Sequence, residues 1–322
     1  MAKIRFPKLP EGHDEDVTAW MDRRGRSFNA REARRKAEKW MVLDVPELQG
    51  RPFGVAFLGD MHGDDKDCNL PLLRADLAAI AKTSGMYGAH IGDATNNWVG
   101  RLMAEYATQG STEDEARRFC EWALHGSGVE WLCWLGGNHD KWREGLAILG
   151  LIAGPAWYIP FWEARLILRA GRSTFRVHMK HDFKGHSDWN PTHGPLKAAF
   201  KESEAELLVC GHRHIWGTQS FEVGGNGRVA HVARARGYKW HDSYALEKGF
   251  TPTEHGAGVV AIFDPRATDP ASRVVLIPNV QRGCEMLRAM RREAEKQGAP
   301  KRQAAKKSKI IKVRKKRKPP RN

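Results

Sequence analysis

Five short polar clusters punctuate this 322-residue chain, each directly after an apolar run. They are Gly59-Asp60-Met61-His62-Gly63, Gly92-Asp93, Gly137-Asn138-His139-Asp140, His181-Asp182 and Gly211-His212-Arg213-His214. An apolar run of four to six residues that stops at Gly, Asp or His reads as a buried strand running out into a loop. Successive clusters lie roughly one strand–helix–strand unit apart, and open α/β sheets build their sites beyond the carboxyl ends of their strands. One such coincidence is an ordinary turn or a satisfied core histidine; five in series specify an α/β chain with a composite site.

The segments between the clusters fit that plan. Val55–Leu58, Tyr87–Ile91, Trp131–Leu135 and Leu207–Cys210 read as buried strands, and Leu70–Ala81 as a helix. Ser111 or Thr112 can cap a helix running to about Leu124, and Pro195 suits the first turn of another, from about Leu196 to Ser203. Thr174–Met179 alternates, with Phe175, Val177 and Met179 inward and His178 and Lys180 outward. Gly224-Gly225-Asn226-Gly227 reads as a hairpin turn, followed by strands at Gly258–Phe263 and Arg273–Ile277.

Four segments emerge: a basic helical arm over 1–50, a main domain over 51–280, a helix over 281–300 and a Lys/Arg-rich tail over 301–322 expected to be disordered. In the arm, Asn29-Ala30-Arg31-Glu32 resembles a capping box that opens a helix ending near Met41. The net charge of +15 is uneven: twelve of the 53 Lys/Arg lie in 301–322 with no acid, leaving 41 bases against 38 acids elsewhere. The body is therefore nearly neutral, and the tail is the electrostatic handle, for DNA or RNA or for a protein partner. Five unpaired cysteines suit a reducing, cytoplasmic setting. The N-terminus lacks a secretory apolar core, and Pro155 and Pro160 interrupt the uncharged stretch 145–162, which reads as a buried helix, a turn and a strand rather than a membrane span.

The candidate ligands are carboxylate, amide oxygen and imidazole without a thiolate, a set that suits Mn, Fe, Zn or Ni. In order and spacing they resemble the calcineurin-like metallophosphoesterase superfamily, whose motifs here read Asp60-Met61-His62, Gly92-Asp93-Ala94-Thr95-Asn96, Gly137-Asn138-His139-Asp140, His181 and Gly211-His212-Arg213-His214. The match covers about residues 53–216. It implies a four-layer α/β/β/α sandwich with two central mixed β-sheets and two divalent metal ions. Carried over by position, Asp60, His62 and His214 would hold one ion, Asn138, His181 and His212 the other, and Asp93 both. Such a pair would supply hydroxide for in-line attack on phosphorus, with His139 stabilising the transition state or protonating the leaving oxygen.

Two departures stand out. Asn96 replaces the aspartate with which many members orient the third-motif histidine, and Asn97 replaces the arginine typical of protein Ser/Thr phosphatases. Arg213 and Arg236-Gly237-Tyr238-Lys239 are candidate phosphate contacts; Trp98 and Trp142 are candidate base contacts; His186, Asn190 and His193 are candidate lining residues. The segments Gly237-Tyr238-Lys239 and Asp242-Ser243-Tyr244-Ala245 loosely resemble phage and prophage-type members. The leading expectation is a phosphodiesterase or nuclease; the alternatives are a phosphomonoesterase on small substrates and a non-catalytic nucleic-acid-binding protein on the same fold.

Overall fold

The computed structural model describes residues 16–37, 40–45, 50–154, 159–225, 227–240 and 254–296. Asn226, the segment 242–245 and the tail 301–322 lie outside the described residues. The chain divides into two compact units, Met1–Met41 and Val42–Asn322.

Among the described residues of the first unit a continuous helix, α1 (Val17–Ala37), runs through the expected capping box. No proline interrupts residues 17–37, and Ala, Arg and Met favour the helix across Gly25, so Asn29 is carried mid-helix. Side chains 16–31 are all exposed.

The second unit is built on two mixed sheets. One has the order β1 (Met41–Asp44), β5 (Glu163–Ala170), β6 (Ser173–Lys180), β7 (Leu207–Cys210), β9 (Arg228–Arg234), β8 (Gly217–Val223). The other has the order β11 (Val274–Ile277), β10 (Val259–Phe263), β2 (Phe53–Leu58), β3 (Met86–Ile91), β4 (Trp131–Leu135). Strands β2, β3 and β4 are parallel to one another, as are β6, β7 and β9; β5, β8, β10 and β11 pair antiparallel.

Period-two alternation sorts side chains between the layers. Phe53 and Phe263 stack at 5.0 Å, and both meet Phe175 of the other sheet, at 5.7 and 5.1 Å. The opposite face carries Ala56, Leu58, Val260 and Ile262, which pack with Leu73 and Leu77 of α2 (Leu70–Ala81) and with Cys284 and Leu287 near the C-terminus of the body. Helices α3 (Glu113–Glu121), α4 (Asn138–Lys141) and α5 (Gly145–Ala153) follow the strands of that sheet; α6 (His193–Lys201) packs on β7 and β9. A final helix, α7 (Val280–Lys296), lies on β2 and β10. The expected α/β layering with two mixed sheets is thus observed. No helix among the described residues is long and apolar enough to cross a membrane.

Thr112 and Glu115 form a full capping box on α3, and all five cysteines are free and buried. Two local expectations fail. The strand expected inside 145–162 begins at Glu163, and His178, expected outward, is 1% exposed. The outer face of β6 is covered, so its polar alternates are satisfied internally: His178 reaches Ser203 Oγ at 3.0 Å and Glu163 Oε1 at 2.9 Å.

Candidate metal centre

Parallel pairing brings the carboxyl ends of β2, β3 and β4 to one edge, and the ends of β6 and β7 deliver the other two clusters beside them. The first two loops are zipped together by Asp60 N–Gly92 O (2.8 Å), Met61 N–Asp93 O (2.9 Å) and Gly63 N–Ala94 O (3.0 Å). His212 N donates to Asp60 Oδ2 at 2.8 Å, joining the fifth cluster to the first. Asp140 joins the second and third: its buried carboxylate accepts from the backbone N–H groups of Asp93 (2.7 Å), Ala94 (3.1 Å) and Gly137 (2.8 Å).

Close approach leaves no room for side chains at two glycines. A Cβ on Gly92, whose φ is +108°, would strike His181 Nδ1, and one on Gly211 would strike Asp60 Oδ2. Nine described non-glycine residues have positive φ, and five of them, Asp60, His62, Asp93, His212 and His214, are proposed ligands. Strain of this kind costs about 1–3 kcal/mol per residue and concentrates where geometry serves a site.

Three ligand-capable groups result: Asp60, His62 and His214; His62, Asp93 and His139; and Asp93, His181 and His212. Within each, one ligand atom per residue lies within 4.8 Å of the others. Shared His62 and Asp93 link the three into one continuous centre. Asn138 belongs to it as well, with Oδ1 3.0 Å from His181 Nε2. The structure therefore assembles all seven expected ligands and His139.

The donor atoms fit a cation at both ends. His181 gives its Nδ1–H to Ile91 O at 2.9 Å, leaving Nε2 among Asp93 Oδ2 (3.1 Å), Asn138 Oδ1 (3.0 Å) and His212 Nδ1 (3.0 Å). Converging lone pairs of that kind call for a proton or a metal ion. Burial disfavours charge on His181, but the adjoining Asp93 carboxylate raises its pKa to about 10; the same imidazolium overrides burial and holds Asp93 below the ordinary aspartate range. Burial, then the His181 charge, lowers His212 to about 4. At the other end, burial raises Asp60 to about 7, and the buried atoms Asp60 Oδ1 and His62 Nε2 have no hydrogen-bond partner.

His139 is held differently from expectation. Its Nδ1 hydrogen-bonds the backbone carbonyl of Asn96, while the Asn96 side chain turns to His62, with Oδ1 2.8 Å from Nδ1. His139 Nε2 then faces the centre, 4.0 Å from Asp93 Oδ2, and burial keeps this ring below the ordinary histidine pKa. Asn97 donates from Nδ2 to His139 O at 3.2 Å.

Aromatic rings wall the centre. Trp142 and Trp98 lie 4.2 and 5.3 Å from the His139 ring. Trp162, at a φ of 70°, stands 5.2 Å from His181 and 6.1 Å from His212. Its N–H bonds Gly136 O and its carbonyl accepts from His181 N, both at 2.9 Å, so it bridges the two sheets. Beside it Lys141 Nζ sits 4.9 Å over Phe161, a ring 41% exposed. Trp162 and Phe161 had no motif to mark them in the sequence.

Several other residues expected to contact substrate have hydrogen-bond partners within the protein. Arg213 forks onto Asp182 Oδ2 (3.2 and 3.0 Å), and buried Arg234 bonds Asp182 Oδ1 (2.9 Å), Pro191 O (2.7 Å) and Gly211 O, bracing the fifth cluster. Arg236, Tyr238 and Lys239 are buried, with Tyr238 Oη donating to Asp76 Oδ2 at 2.9 Å. Asn190 accepts from Thr192 N at 2.9 Å, and His186 pairs with Asp188 at 2.7 Å, while His193 opens α6. A separate cavity of about 340 Å³ is lined by Asn97, Tyr106, Asp140 and Arg143 and by none of the seven proposed ligands.

No family model and no curated protein matches this sequence. Similar solved structures include a single mutant of Vps29 from Entamoeba histolytica, at 11% identity and TM-score 0.39, covering 70% of this chain and 98% of that one. A conserved uncharacterized protein from Streptococcus pneumoniae, described as a predicted phosphoesterase, has 12% identity and TM-score 0.30, covering 70% and 97%. GAP50, the anchor in the inner membrane complex of Plasmodium, has 10% identity and TM-score 0.35, covering 75% and 95%.

Proposed function

We propose that this chain, whose ordered motifs and two-sheet fold resemble those of calcineurin-like metallophosphoesterases, is a dinuclear metal-dependent phosphodiesterase acting on nucleic acid. The observation that carries the reading is the continuous run of ligand groups from Asp60 to His212, joined through His62 and Asp93, with His139 Nε2 beside it. Asp60, His62 and His214 would hold one divalent ion, Asn138, His181 and His212 the other, and Asp93 both. When bound, such a pair neutralises charge on the phosphoryl oxygens and makes a nucleophile available at neutral pH.

The protein's own groups do the rest. Asp140 and Arg234 keep the loops in register, so the ligand atoms are set before substrate arrives. His139, with Nδ1 anchored on Asn96 O, presents Nε2 for hydrogen bonding or proton transfer to an ester oxygen. Trp142 and Trp162 set apolar ring surface on two sides of the centre. The exposed Lys141–Phe161 pair combines a cation with a stacking face, the grammar of single-stranded nucleic-acid binding, and this favours a nucleic-acid diester over a small monoester.

The test compares hydrolysis of bis-p-nitrophenyl phosphate, p-nitrophenyl phosphate, DNA and RNA in defined Mn²⁺. Diester and nucleic-acid cleavage should dominate and be lost in Asp93→Asn and His212→Ala. Full activity in either variant refutes the two-metal reading; a preference for the monoester refutes the substrate class.

A further inference from the structure

Behind His62 lies a buried chain of polar side chains that the centre described above does not use. His62 Nδ1 is 2.8 Å from Asn96 Oδ1. Asn96 Nδ2 is 2.8 Å from Asp65 Oδ2 and 3.2 Å from Gln109 Oε1. Lys239 Nζ is 2.9 Å from the same Asp65 oxygen. None of the five residues is more than 7% exposed.

Donor and acceptor roles along this chain leave no freedom. A carboxylate only accepts and an ammonium only donates. Gln109 gives Nε2–H to Ser111 O at 2.9 Å, so its Oε1 is the atom that faces Asn96. Both neighbours of Asn96 on that side therefore require its NH₂ group. The carbonyl Oδ1 is left facing His62, whose Nδ1 must carry the proton. His62 Nε2 is buried without a hydrogen-bond partner, and in this tautomer it is the nitrogen that carries the lone pair.

We infer that Asn96, backed by Asp65 and Lys239, is a positioning residue that sets the tautomer and orientation of His62 and so presents Nε2 beside Asp60 and His214 to the first metal ion. The inference rests on the two-metal reading above. It also gives the asparagine a reason. A carboxylate at 96 would meet Asp65 Oδ2 and Gln109 Oε1 without a proton to offer either, and its own backbone N–H is already bound to the Asp64 carboxylate at 2.9 Å. The side chain at this position serves His62, while His139 is served by the Asn96 backbone.

Two measurements on the full chain test this. Long-range ¹H–¹⁵N correlation on the metal-free protein should find His62 protonated on Nδ1; a proton on Nε2 overturns the inference. In Mn²⁺ titration calorimetry, Asn96→Ala should lose roughly 10–100-fold in affinity at one of two sites and keep the other. Asn96→Asp should lose affinity at the same site, because a carboxylate at 96 has no proton for Asp65 Oδ2 or Gln109 Oε1. Unchanged affinity in Asn96→Ala or in Asn96→Asp overturns the positioning role. If Asn96→Ala fails to fold by circular dichroism, Asn96→Asp and the wild-type tautomer decide. A wild-type protein that binds no Mn²⁺ sinks the two-metal reading together with this one, a result distinct from unchanged binding in the variant.

Discussion

His139 is tied at three atoms. Its backbone N–H donates to Asp93 Oδ1 at 2.9 Å, its carbonyl accepts from Asn97, and its Nδ1 bonds Asn96 O. Only Nε2 is left to act, and a group placed this way is worth about 10²–10⁴-fold when it transfers a proton in the transition state. His139→Ala should therefore lower kcat by that order on a diester with an alkoxide leaving group. The loss should be much smaller on bis-p-nitrophenyl phosphate, whose phenolate departs unaided, and calorimetry should still count two Mn²⁺ per chain. Equal losses on both substrates would remove the proton-transfer role. The identity of His139 was legible in Gly137-Asn138-His139-Asp140, but its support was not: the sequence pointed to the Asn96 side chain, and the backbone carbonyl does that work.

The β5–β6 hairpin shows how an element is held by one titratable group. Glu163 Oε1 accepts from Arg165 Nε at 2.8 Å and pairs with His178 Nε2 at 2.9 Å, while Oε2 meets Lys180 Nζ at 3.1 Å. Burial would raise its pKa, but the His178 hydrogen bond and the surrounding positive charge hold it well below the ordinary value of 4.5. A carboxylate with a depressed folded pKa stabilises the fold above the unfolded value and loses that contribution as pH falls toward the folded one. Glu163→Gln should thus lower the urea midpoint at pH 7, and the gap to wild type should close as pH drops below about 4.5. A gap that stays constant with pH would show that charge plays no part. Most strands and helices of the body were readable from apolar runs and caps. His178 was not, because alternation alone cannot tell a solvent face from one covered by another layer.

Charge is distributed over the whole molecule in two blocks, a nearly neutral body and a terminal segment holding twelve Lys/Arg. If the body cleaves and the segment retains nucleic acid, removing 301–322 should weaken DNA or RNA binding and flatten the slope of log K against log salt. Hydrolysis of bis-p-nitrophenyl phosphate should not change. An unaltered slope would show that the segment makes no phosphate contacts. The strand ends and the ligand types could be read in order along the chain because each is local: an apolar run, a stop, and side chains whose donor atoms are known. Sheet order, the Asp140 and Arg234 braces and the chain from Lys239 to His62 could not. They join residues far apart in sequence, such as Asp182 with Arg234 across β6-β7-β9 of one sheet and Asp65 with Lys239 between loops of the two sheets, and such pairs meet only once strand order and sheet packing are set.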